Sequence, residues 1–412
     1  MTATILFWII ISILVLEFII DKVLDYQNAA YFDKPIPESL ADVYDDTEYQ
    51  KSQNYKREKQ QFGNLSSGLM FVLTLAFLFL DGFAVVDQLA RYAFENNIAI
   101  GLCFFGILFI ASSLIGIPFS YYSTFVIEEK YGFNKTSQST FFVDILKSWL
   151  IGAIIGGGIL ALLIWFFELV GSDFWWYAWI LITVFSIFMN MFYAKLIVPL
   201  FNKQTPLEDG SLRDKIEAYA QKVGFELKNI YVIDGSKRST KANAYFSGFG
   251  KEKRITLYDT LINDLTDDEV VAVLAHEVGH YKKKHIVFNL ATSIATTGLT
   301  LWIFSLLVNE PMLAEALGAS TNSFHLSLIA FGLLYSPIST LTGLVMNFVS
   351  RKFEYQADHF AKTTFNAEHL ISSLKKLSSK SLSNLTPHPA FEFFHYSHPS
   401  LQKRIENLNL KS

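Results

Sequence analysis

The stretch that decides the fold is residues 150–170, which read LIGAIIGGGILALLIWFFELV and contain one charged residue, Glu168. A helix needs about 20 predominantly apolar residues to cross the hydrocarbon core of a bilayer. The chain contains seven stretches of this kind, so we predict seven transmembrane helices. The predicted spans are Ile5–Ile20, Gly68–Val86, Ile98–Ile117, Leu150–Val170, Phe174–Met191, Ile286–Val308 and Phe324–Val349.

The composition of the 412-residue chain agrees with a membrane protein. Hydrophobic residues make up 51% of the chain and charged residues only 17%, whereas charged residues are nearer about 25% in soluble domains. These values exclude a disordered chain, a coiled coil and a single soluble globule, and the lipid bilayer is the expected partner. The 34 basic residues do not exceed the 38 acidic ones, so nucleic acid is not an expected partner.

Basic residues predict the orientation of the helices, because Lys and Arg concentrate on the cytoplasmic side of a membrane. With the N-terminus outside, all 34 Lys and Arg residues except Arg91 fall on the cytoplasmic side. Asp81 lies inside the second predicted span, where a carboxylate is costly unless it faces a polar interior. Two interpretations of Asp81 stay open: it lines an internal chamber, or it lies near the outer interface because the span is shifted.

Two hydrophilic segments flank the last two predicted spans on the cytoplasmic side. They divide the chain into residues 1–199 with five spans, 200–285 as the first part of a soluble domain, 286–349 with two spans, and 350–412 as the second part of that domain. The expected fold is therefore mainly α and polytopic, with seven transmembrane helices and a small α+β domain on the cytoplasmic side.

The first part of the soluble domain is expected to contain strands and a helix. A capping box from Thr266 to Glu269 begins the helix. Short runs of strand-forming residues are bounded by turn residues, and Gly248-Phe-Gly separates the last two runs. The predicted strands are Ile230–Ile233, Asn243–Ser247 and Ile255–Tyr258.

The helix that follows the capping box carries the motif His276-Glu277-Val278-Gly279-His280. Residues four apart share one face of a helix, so both imidazoles can bind one ion. One Zn²⁺ per chain is the expected cofactor, since it accepts neutral histidine nitrogens at about 2.0–2.1 Å. Zinc lowers the pKa of a bound water to about 7, and Glu277 is placed to accept its proton. The motif predicts hydrolysis of a peptide or protein substrate by a zinc metalloendopeptidase.

A catalytic zinc site needs a third protein ligand and one open position. Glu354 is the best candidate, because it follows the seventh span on the same side of the membrane as the two histidines. Asp358 lies one helical turn further along and is expected to accept a hydrogen bond from the free N–H of a ligating histidine. Glu368, Glu392 and Glu406 stay weaker alternatives for the third ligand.

Two further elements are candidates for substrate binding and catalysis. The run Asn243-Ala244-Tyr245-Phe246 alternates like an edge strand beside which an extended peptide could pair, although the pattern alone favours an ordinary core strand. His398 and Arg404 could stabilise the oxyanion of a tetrahedral intermediate. The remaining histidines are predicted non-ligands, namely His285, His325, His359, His369, His388 and His395.

Taken together, these motifs resemble those of the type I CAAX prenyl endopeptidases, seven-span zinc metalloproteases of the eukaryotic endoplasmic reticulum with bacterial relatives. The resemblance covers nearly the whole chain, and it implies a large, partly water-filled chamber within the helices, with the zinc site near its cytoplasmic end. The segments that carry it are Ile127–Lys135, Gly235–Arg238, Asn243–Gly250, Arg254–Asp259, His276–His280, Phe353–Asp358 and His398–Pro399.

The resemblance also implies roles and a substrate class. Glu354 would be the third ligand, Glu277 the base, Asn243 a residue of the substrate strand and His398 a residue that helps to hold the transition state. The family removes the last three residues of C-terminally isoprenylated proteins and can cut other peptides. The final Leu-Lys-Ser lacks a dilysine retrieval signal, so we expect a bacterial inner membrane with the active site facing the cytoplasm, or the endoplasmic reticulum if the source is eukaryotic.

Two alternatives to a CAAX-type protease stay open. One is a membrane quality-control protease with unprenylated substrates, and the other is a non-proteolytic transporter or scaffold with structural zinc. Structural zinc normally has four protein ligands, whereas the sequence offers three good ones and Glu277. The sequence does not indicate an oligomeric state.

Overall fold

The computed structural model describes residues 2–225, 229–248 and 253–410, and most of these residues are helical. The helices are α1 (Ala3–Ala29), α2 (Asp46–Phe79), α3 (Gly82–Ala93), α4 (Asn97–Tyr122), α5 (Gln138–Ile151), α6 (Gly157–Val170), α7 (Phe174–Leu196), α8 (Val198–Phe201), α9 (Ser211–Lys222), α10 (Asp259–Asp264), α11 (Asp267–Lys282), α12 (His285–Leu307), α13 (Pro311–Glu315), α14 (Phe324–Thr364), α15 (Ala367–Lys380), α16 (Pro389–His395) and α17 (Leu401–Asn409). The strands are β1 (Gln204–Pro206), β2 (Ile230–Ile233), β3 (Ala244–Ser247) and β4 (Arg254–Tyr258).

Six helical stretches of the described chain are long and apolar enough to cross a membrane. One of them, Gln138–Phe201, is 64 residues long and contains two predicted spans, because α6 ends and α7 begins at a short turn. Gly171 in this turn has a φ of +60°, a conformation that glycine adopts without strain. The rings of Phe167 and Phe174 are in contact across the turn. The seven predicted spans fall on these helices, and the prediction of a polytopic, mainly helical membrane protein is confirmed.

The predicted end of the second span is wrong. The sequence predicts a helix as far as Val86, but α2 ends at Phe79 and α3 begins at Gly82. Asp81 separates the two helices in the left-handed conformation, with a φ of 53°. It is exposed and contacts Gly318 in the turn before α14. This position agrees with the interpretation in which the span is shifted and Asp81 lies at its outer end.

The longest helix, α14, joins the last predicted span to the soluble domain without a break. It has 41 residues and continues well beyond Val349, the predicted end of the span. Its last turns carry Glu354 and Asp358, both buried. The rigid continuation of this helix therefore fixes where these two carboxylates lie relative to the soluble domain.

The four strands form one sheet in the order β1-β2-β4-β3. β2 and β4 are parallel, whereas β1 and β3 are antiparallel to their neighbours. The three predicted strands are confirmed to within one residue, and β1 was not predicted. Within the described residues β3 pairs only with β4, so it is an edge strand. Residues 249 and 250 of the predicted turn lie outside the described residues.

Helix α11 lies in the hydrophobic core of the soluble domain, packed against the sheet, α9, α14 and α15. Gly279, inside the His-Glu motif, makes its close approach to α14 possible. A Cβ atom at this position would lie 3.0 Å from the Cα and 3.2 Å from the carbonyl oxygen of Ala357. The glycine thus lets the two helices come close enough for side chains of α14 to reach the two histidines.

Candidate metal centre

The helix that carries the two histidines begins at the predicted capping box. The Thr266 hydroxyl accepts a hydrogen bond from the Glu269 N–H, and the Glu269 carboxylate accepts one from the Thr266 N–H. Glu269 also accepts hydrogen bonds from Ser372 and Lys376 of α15. Burial acts to raise the pKa of Glu269, but these donors outweigh it and hold that pKa at about 2. The start of α11 is therefore anchored to α15.

Three of the predicted ligands come together. The Nε2 atoms of His276 and His280 are 3.1 Å apart. The Glu354 carboxylate reaches both of them, with Oε2 3.4 Å from His276 Nε2 and Oε1 3.2 Å from His280 Nε2. Four ligands at about 2.0–2.1 Å around a tetrahedral ion are separated by about 3.3 Å. The spacing of these donor atoms therefore fits a zinc-sized ion.

The Glu354 carboxylate gives a second indication that the cluster fits a cation. Its Oε2 atom is buried and has no hydrogen-bond donor among the described residues. An unpaired carboxylate oxygen in a buried position is costly unless a cation compensates it. In the described part of the chain, His276, His280 and Glu354 form the single group of three or more such side chains placed to hold a metal ion.

Each histidine is held through its other ring nitrogen. His276 Nδ1 lies 2.9 Å from Asp358 Oδ1, so the imidazole can donate its N–H to the carboxylate. This hydrogen bond leaves Nε2 of His276 free to bind a metal. The Arg404 guanidinium fixes Asp358 in turn, with Nη2 2.6 Å from Oδ1 and Nε 2.9 Å from Oδ2. Asp358 thus lies where it can accept the N–H of His276, and its role behind a bound metal stays a prediction.

His285 holds the second histidine, a role that the sequence analysis missed. Its Nδ1 lies 3.0 Å from His280 Nδ1, and its Nε2 lies 2.9 Å from Gln356 Oε1. Because the amide oxygen can only accept, His285 donates to Gln356 and accepts from His280, which leaves His280 Nε2 free for a metal. The spacing of five residues gave no signal, because the chain turns at Lys284, whose φ is 61°.

Glu277 lies next to the donor atoms and remains available to accept a proton. Its side chain is half-buried, and it makes no hydrogen bond within the described residues. Burial raises the pKa of Glu277 above its ordinary value, although His276 and His280 act in the opposite direction. A raised pKa suits a carboxylate that must accept and return a proton near neutral pH.

His398 and Arg404 both lie at the same site. His398 Nε2 is 3.3 Å from Glu354 Oε1, and most of its side chain is exposed. Arg404 Nη1 is 3.6 Å from Glu354 Oε2, but its other nitrogens are taken up by Asp358. The contacts of Arg404 thus indicate a positioning role, and its direct action on an oxyanion stays a prediction.

The predicted substrate strand borders the site. Asn243 is exposed at the start of β3, and its Oδ1 accepts a hydrogen bond from the Ala244 N–H. Phe246 packs against Tyr281 of α11, which fixes the strand beside the helix that carries the two histidines. The hydroxyl of Tyr245 is buried without a partner among the described residues. β3 therefore lies beside the helix that carries the two histidines, and its pairing with a peptide stays a prediction.

The weaker candidates for the third ligand lie elsewhere. Glu392 accepts hydrogen bonds from the Ser400 N–H and from Lys403. Glu406 accepts one from Gln402 within α17, and Glu368 is exposed in the first turn of α15. None of these three carboxylates belongs to the cluster formed by the described residues.

Two family descriptions match the chain and agree with this geometry. The CAAX prenyl protease N-terminal domain with five membrane helices matches residues 25–203. Peptidase family M48 matches residues 206–411. The fold and the site together define a membrane-embedded metalloprotease, an enzyme that hydrolyses peptide bonds.

Whole proteins show the same similarity. CAAX prenyl protease 1 of Saccharomyces cerevisiae is 37% identical over 92% of this chain and 89% of its own length. The CAAX prenyl protease 1 homolog of Arabidopsis thaliana is 35% identical over 97% of this chain and 96% of its own length. The crystal structure of S. mikatae Ste24p matches with a TM-score of 0.93 at 36% identity, over 98% of this chain and 99% of its own. The chain therefore belongs to the CAAX prenyl protease 1 family, within peptidase family M48.

Proposed function

We propose that this protein uses one zinc ion to cleave extended peptides near their C-termini, with isoprenylated CAAX-type proteins among its substrates. The observation that carries the proposal is the cluster of donor atoms on α11 and α14. Three of these atoms lie within 4.8 Å of one another, beside a carboxylate, Glu277, that has no hydrogen bond in the described residues. Two imidazoles and one carboxylate favour zinc over magnesium or calcium, which prefer oxygen ligands.

His276, His280 and Glu354 would hold the ion, leaving a fourth position for water and substrate. When bound, Zn²⁺ polarises a carbonyl group and acidifies a water molecule. A carboxylate oxygen of Glu277 would accept a proton from the attacking water and return it to the departing amine. His398 Nε2, exposed at the rim of the site, would donate a hydrogen bond to the oxyanion that forms.

The free edge of β3 would position the substrate. An extended peptide could add to β3 by backbone hydrogen bonds, as in other cases of β-strand addition. Asn243 is exposed at the start of this strand and could bond to the peptide backbone. Pairing along the backbone would supply affinity that depends little on the substrate's side chains.

The distribution of basic residues supports a cytoplasmic active site. All 34 Lys and Arg residues except Arg91 fall on the side of the membrane that carries the soluble domain. The positive-inside rule then assigns that side to the cytoplasm, for a bacterial cell membrane and for the endoplasmic reticulum alike.

A peptidase assay on the full chain in detergent tests this proposal. We expect one zinc ion per chain, and faster cleavage of a farnesylated CAAX peptide than of the same peptide without the isoprenyl group. A chelator should abolish cleavage of both peptides, and added zinc should restore it. Full activity in protein shown to be free of metal would overturn the zinc mechanism. Equal rates for the two peptides would retain the metalloprotease and remove the preference for isoprenylated substrates.

A further inference from the structure

A basic pocket lies where the soluble domain meets the membrane helices, and none of its lining residues belongs to the metal centre. Its volume is about 580 Å³, and its walls come from α5, α7, α8, the start of β1, the turn after β2 and the start of β4. Of the described residues that line the pocket, five are basic and one is acidic. The basic residues are Lys147, Lys195, Lys203, Lys237 and Arg254, and the acidic residue is Asp234.

The acidic residue of the basic pocket is already engaged. The Oδ1 atom of Asp234 accepts a hydrogen bond from the Asn202 side chain at 2.8 Å. It also accepts one from the backbone N–H of Lys203 at 2.9 Å. Asp234 therefore shapes the loop around residue 203 and forms no ion pair with a pocket lysine among those that the structure shows.

Three of the four lysines that line the basic pocket are not neutralised by an acidic residue in the described part of the chain. The Lys147 ammonium donates to the carbonyl oxygen of Leu200, and the Lys237 ammonium lies 3.5 Å from that of Phe201. Carbonyl oxygens orient an ammonium group but do not neutralise it. Within the described ranges, no carboxylate forms an ion pair with Lys147, Lys203 or Lys237. An anion in the pocket would thus meet several positive charges at once.

Arg254 gives the strongest sign that the basic pocket is built for a ligand. Arg254 is only 6% exposed, yet no carboxylate within the described residues lies at ion-pair distance from its guanidinium. Its guanidinium lies 3.4 Å from the ring centre of Tyr231 and donates to the Ala194 carbonyl oxygen, while its buried Nε atom has no partner in the described part of the chain. Both amide atoms of Gln204, in the same wall, are also buried and have no partner among those residues. A buried charge without a counter-ion is costly, and an anionic ligand would relieve that cost.

The surroundings of the basic pocket suit a lipid better than a soluble anion. Lys147 lies three residues before the fourth predicted span, and Lys195 lies four residues after the fifth. Large apolar side chains next to the pocket are strongly exposed, as expected for contact with acyl chains. They are Leu146 at 61%, Leu150 at 62%, Leu196 at 49% and Leu200 at 46% exposure.

We propose that this basic pocket binds the phosphate group of an anionic phospholipid from the adjacent leaflet. The headgroup phosphate would occupy the pocket between Lys203, Lys237 and Arg254, and the acyl chains would follow the exposed leucines into the bilayer. Basic pockets between transmembrane helices on the cytoplasmic side bind such headgroups in other membrane proteins. Lys237 and Arg254 belong to two of the segments that carry the family resemblance but have no part in the metal centre.

Native mass spectrometry of the full chain in detergent tests the proposal. The probes are short-chain phosphatidylglycerol, short-chain phosphatidylcholine and inorganic phosphate. We expect one phosphatidylglycerol molecule to bind saturably and more tightly than phosphatidylcholine. The double variant Lys203→Gln/Lys237→Gln should bind it at least about tenfold more weakly, since each basic residue near an anionic lipid contributes roughly a fivefold factor.

The matched control removes the same charge away from the basic pocket. The variant Lys51→Gln/Lys380→Gln changes two exposed lysines and should bind phosphatidylglycerol as the unmodified chain does. Arg254→Gln should weaken phosphatidylglycerol binding more than the variant Lys203→Gln/Lys237→Gln does. If that variant does not fold, the double lysine variant, which changes two exposed side chains, still decides the matter.

The results of these experiments distinguish lipid binding at the basic pocket from peptidase activity at the metal centre. The variant Lys203→Gln/Lys237→Gln should keep its zinc content and its cleavage of a soluble peptide in detergent. Equal phosphatidylglycerol binding by the two double variants would overturn the pocket assignment. Binding of inorganic phosphate as tight as that of phosphatidylglycerol would overturn the lipid assignment and indicate a soluble phosphate compound instead.

Discussion

Two groups of histidine and buried carboxylate lie at opposite ends of this molecule. They differ in whether every carboxylate oxygen has a hydrogen-bond donor. At the outer end, His325 Nε2 lies 2.6 Å from Asp87 Oδ1, and the other oxygen, Oδ2, accepts from Arg91 at 2.8 Å. At the inner end, Oε2 of Glu354 has no hydrogen-bond donor in the described residues. Both oxygens of the outer carboxylate have a hydrogen-bond partner, whereas one oxygen of the inner carboxylate has none among the described residues.

This comparison shows that residue type alone does not distinguish a structural pair from a metal centre. Both regions combine histidines with buried acids, and Asp87 and Glu354 are each 3% exposed. The difference is geometric, because three donor atoms converge at the inner end and each histidine there is oriented through its second nitrogen. A set of hydrogen bonds that leaves no atom unpaired offers nothing to an ion, whereas converging donor atoms with one unpaired buried oxygen favour a cation.

The substitution Glu354→Gln should have the largest effect, because it removes the anionic ligand while keeping the size of the side chain. We expect zinc affinity to fall by more than about 100-fold, since losing only a residue behind the ligands already costs about 10–100-fold. Peptidase activity should disappear with the metal. Titration with a chromophoric chelator measures the affinity. Glu368→Gln, an exposed acid on α15, is the control and should bind zinc normally; stoichiometric zinc in Glu354→Gln after chelator dialysis would contradict the ligand assignment.

The substitution Glu277→Gln separates metal binding from chemistry. Zinc content should stay at one ion per chain, because Glu277 is not part of the donor cluster. Turnover should fall by about 10²–10⁴-fold, the usual contribution of a general base. Elemental analysis and a peptide assay on the same preparation check both parts. Normal turnover in a zinc-loaded Glu277→Gln variant would remove Glu277 from the mechanism.

The substitution Asp358→Asn tests whether the carboxylate behind His276 tunes the ion. We expect zinc affinity to fall by about 10–100-fold, because the ring of His276 loses its charged acceptor and Arg404 loses its partner. At saturating zinc, turnover should recover in large part. Affinity equal to that of the unmodified chain would mean that Asp358 serves only the packing of α14.

The substitution His285→Ala should act in the same direction and more weakly. It removes a neutral acceptor from His280 Nδ1, so we expect roughly a tenfold loss of zinc affinity. His285→Gln, which keeps an acceptor in the side chain, should restore part of the affinity. A general folding defect would instead lower the thermal midpoints of both variants equally. In that case His285→Gln would not bind zinc more tightly than His285→Ala.

The substitution Asp87→Asn at the outer pair should have the smallest effect on function. It weakens a buried, charged hydrogen-bond network, so we expect the free energy of unfolding to fall by about 1–3 kcal/mol. A thermal melt in detergent measures this loss. Zinc content and turnover should not change, and a loss of zinc comparable to that in Asp358→Asn would show that the two ends of the molecule are not independent.

The sequence predicts much of this fold because the strongest signals are local. Long apolar runs predict the spans wherever the helix is straight, but the left-handed conformation of Asp81 ends α2 earlier than hydropathy suggests. β1 was missed because three residues that include Pro206 give no alternating pattern. Topology narrowed the choice of the third ligand, since Glu310 and Glu315 lie in an outer loop and Glu354 directly follows the last span on the side of the histidines.

What the sequence by itself determined is the pairing of His276 with His280 and the presence of Glu277 between them. The shared face of the two histidines follows from the pitch of one helix, and the start of that helix follows from a capping box of four residues, Thr266 to Glu269. The tertiary structure alone decided that α14 runs unbroken to Glu354, that Gly279 lets it approach α11, and that His285 turns back to His280. Such contacts join residues far apart along the chain or across a turn, and close packing rather than any local period sets them.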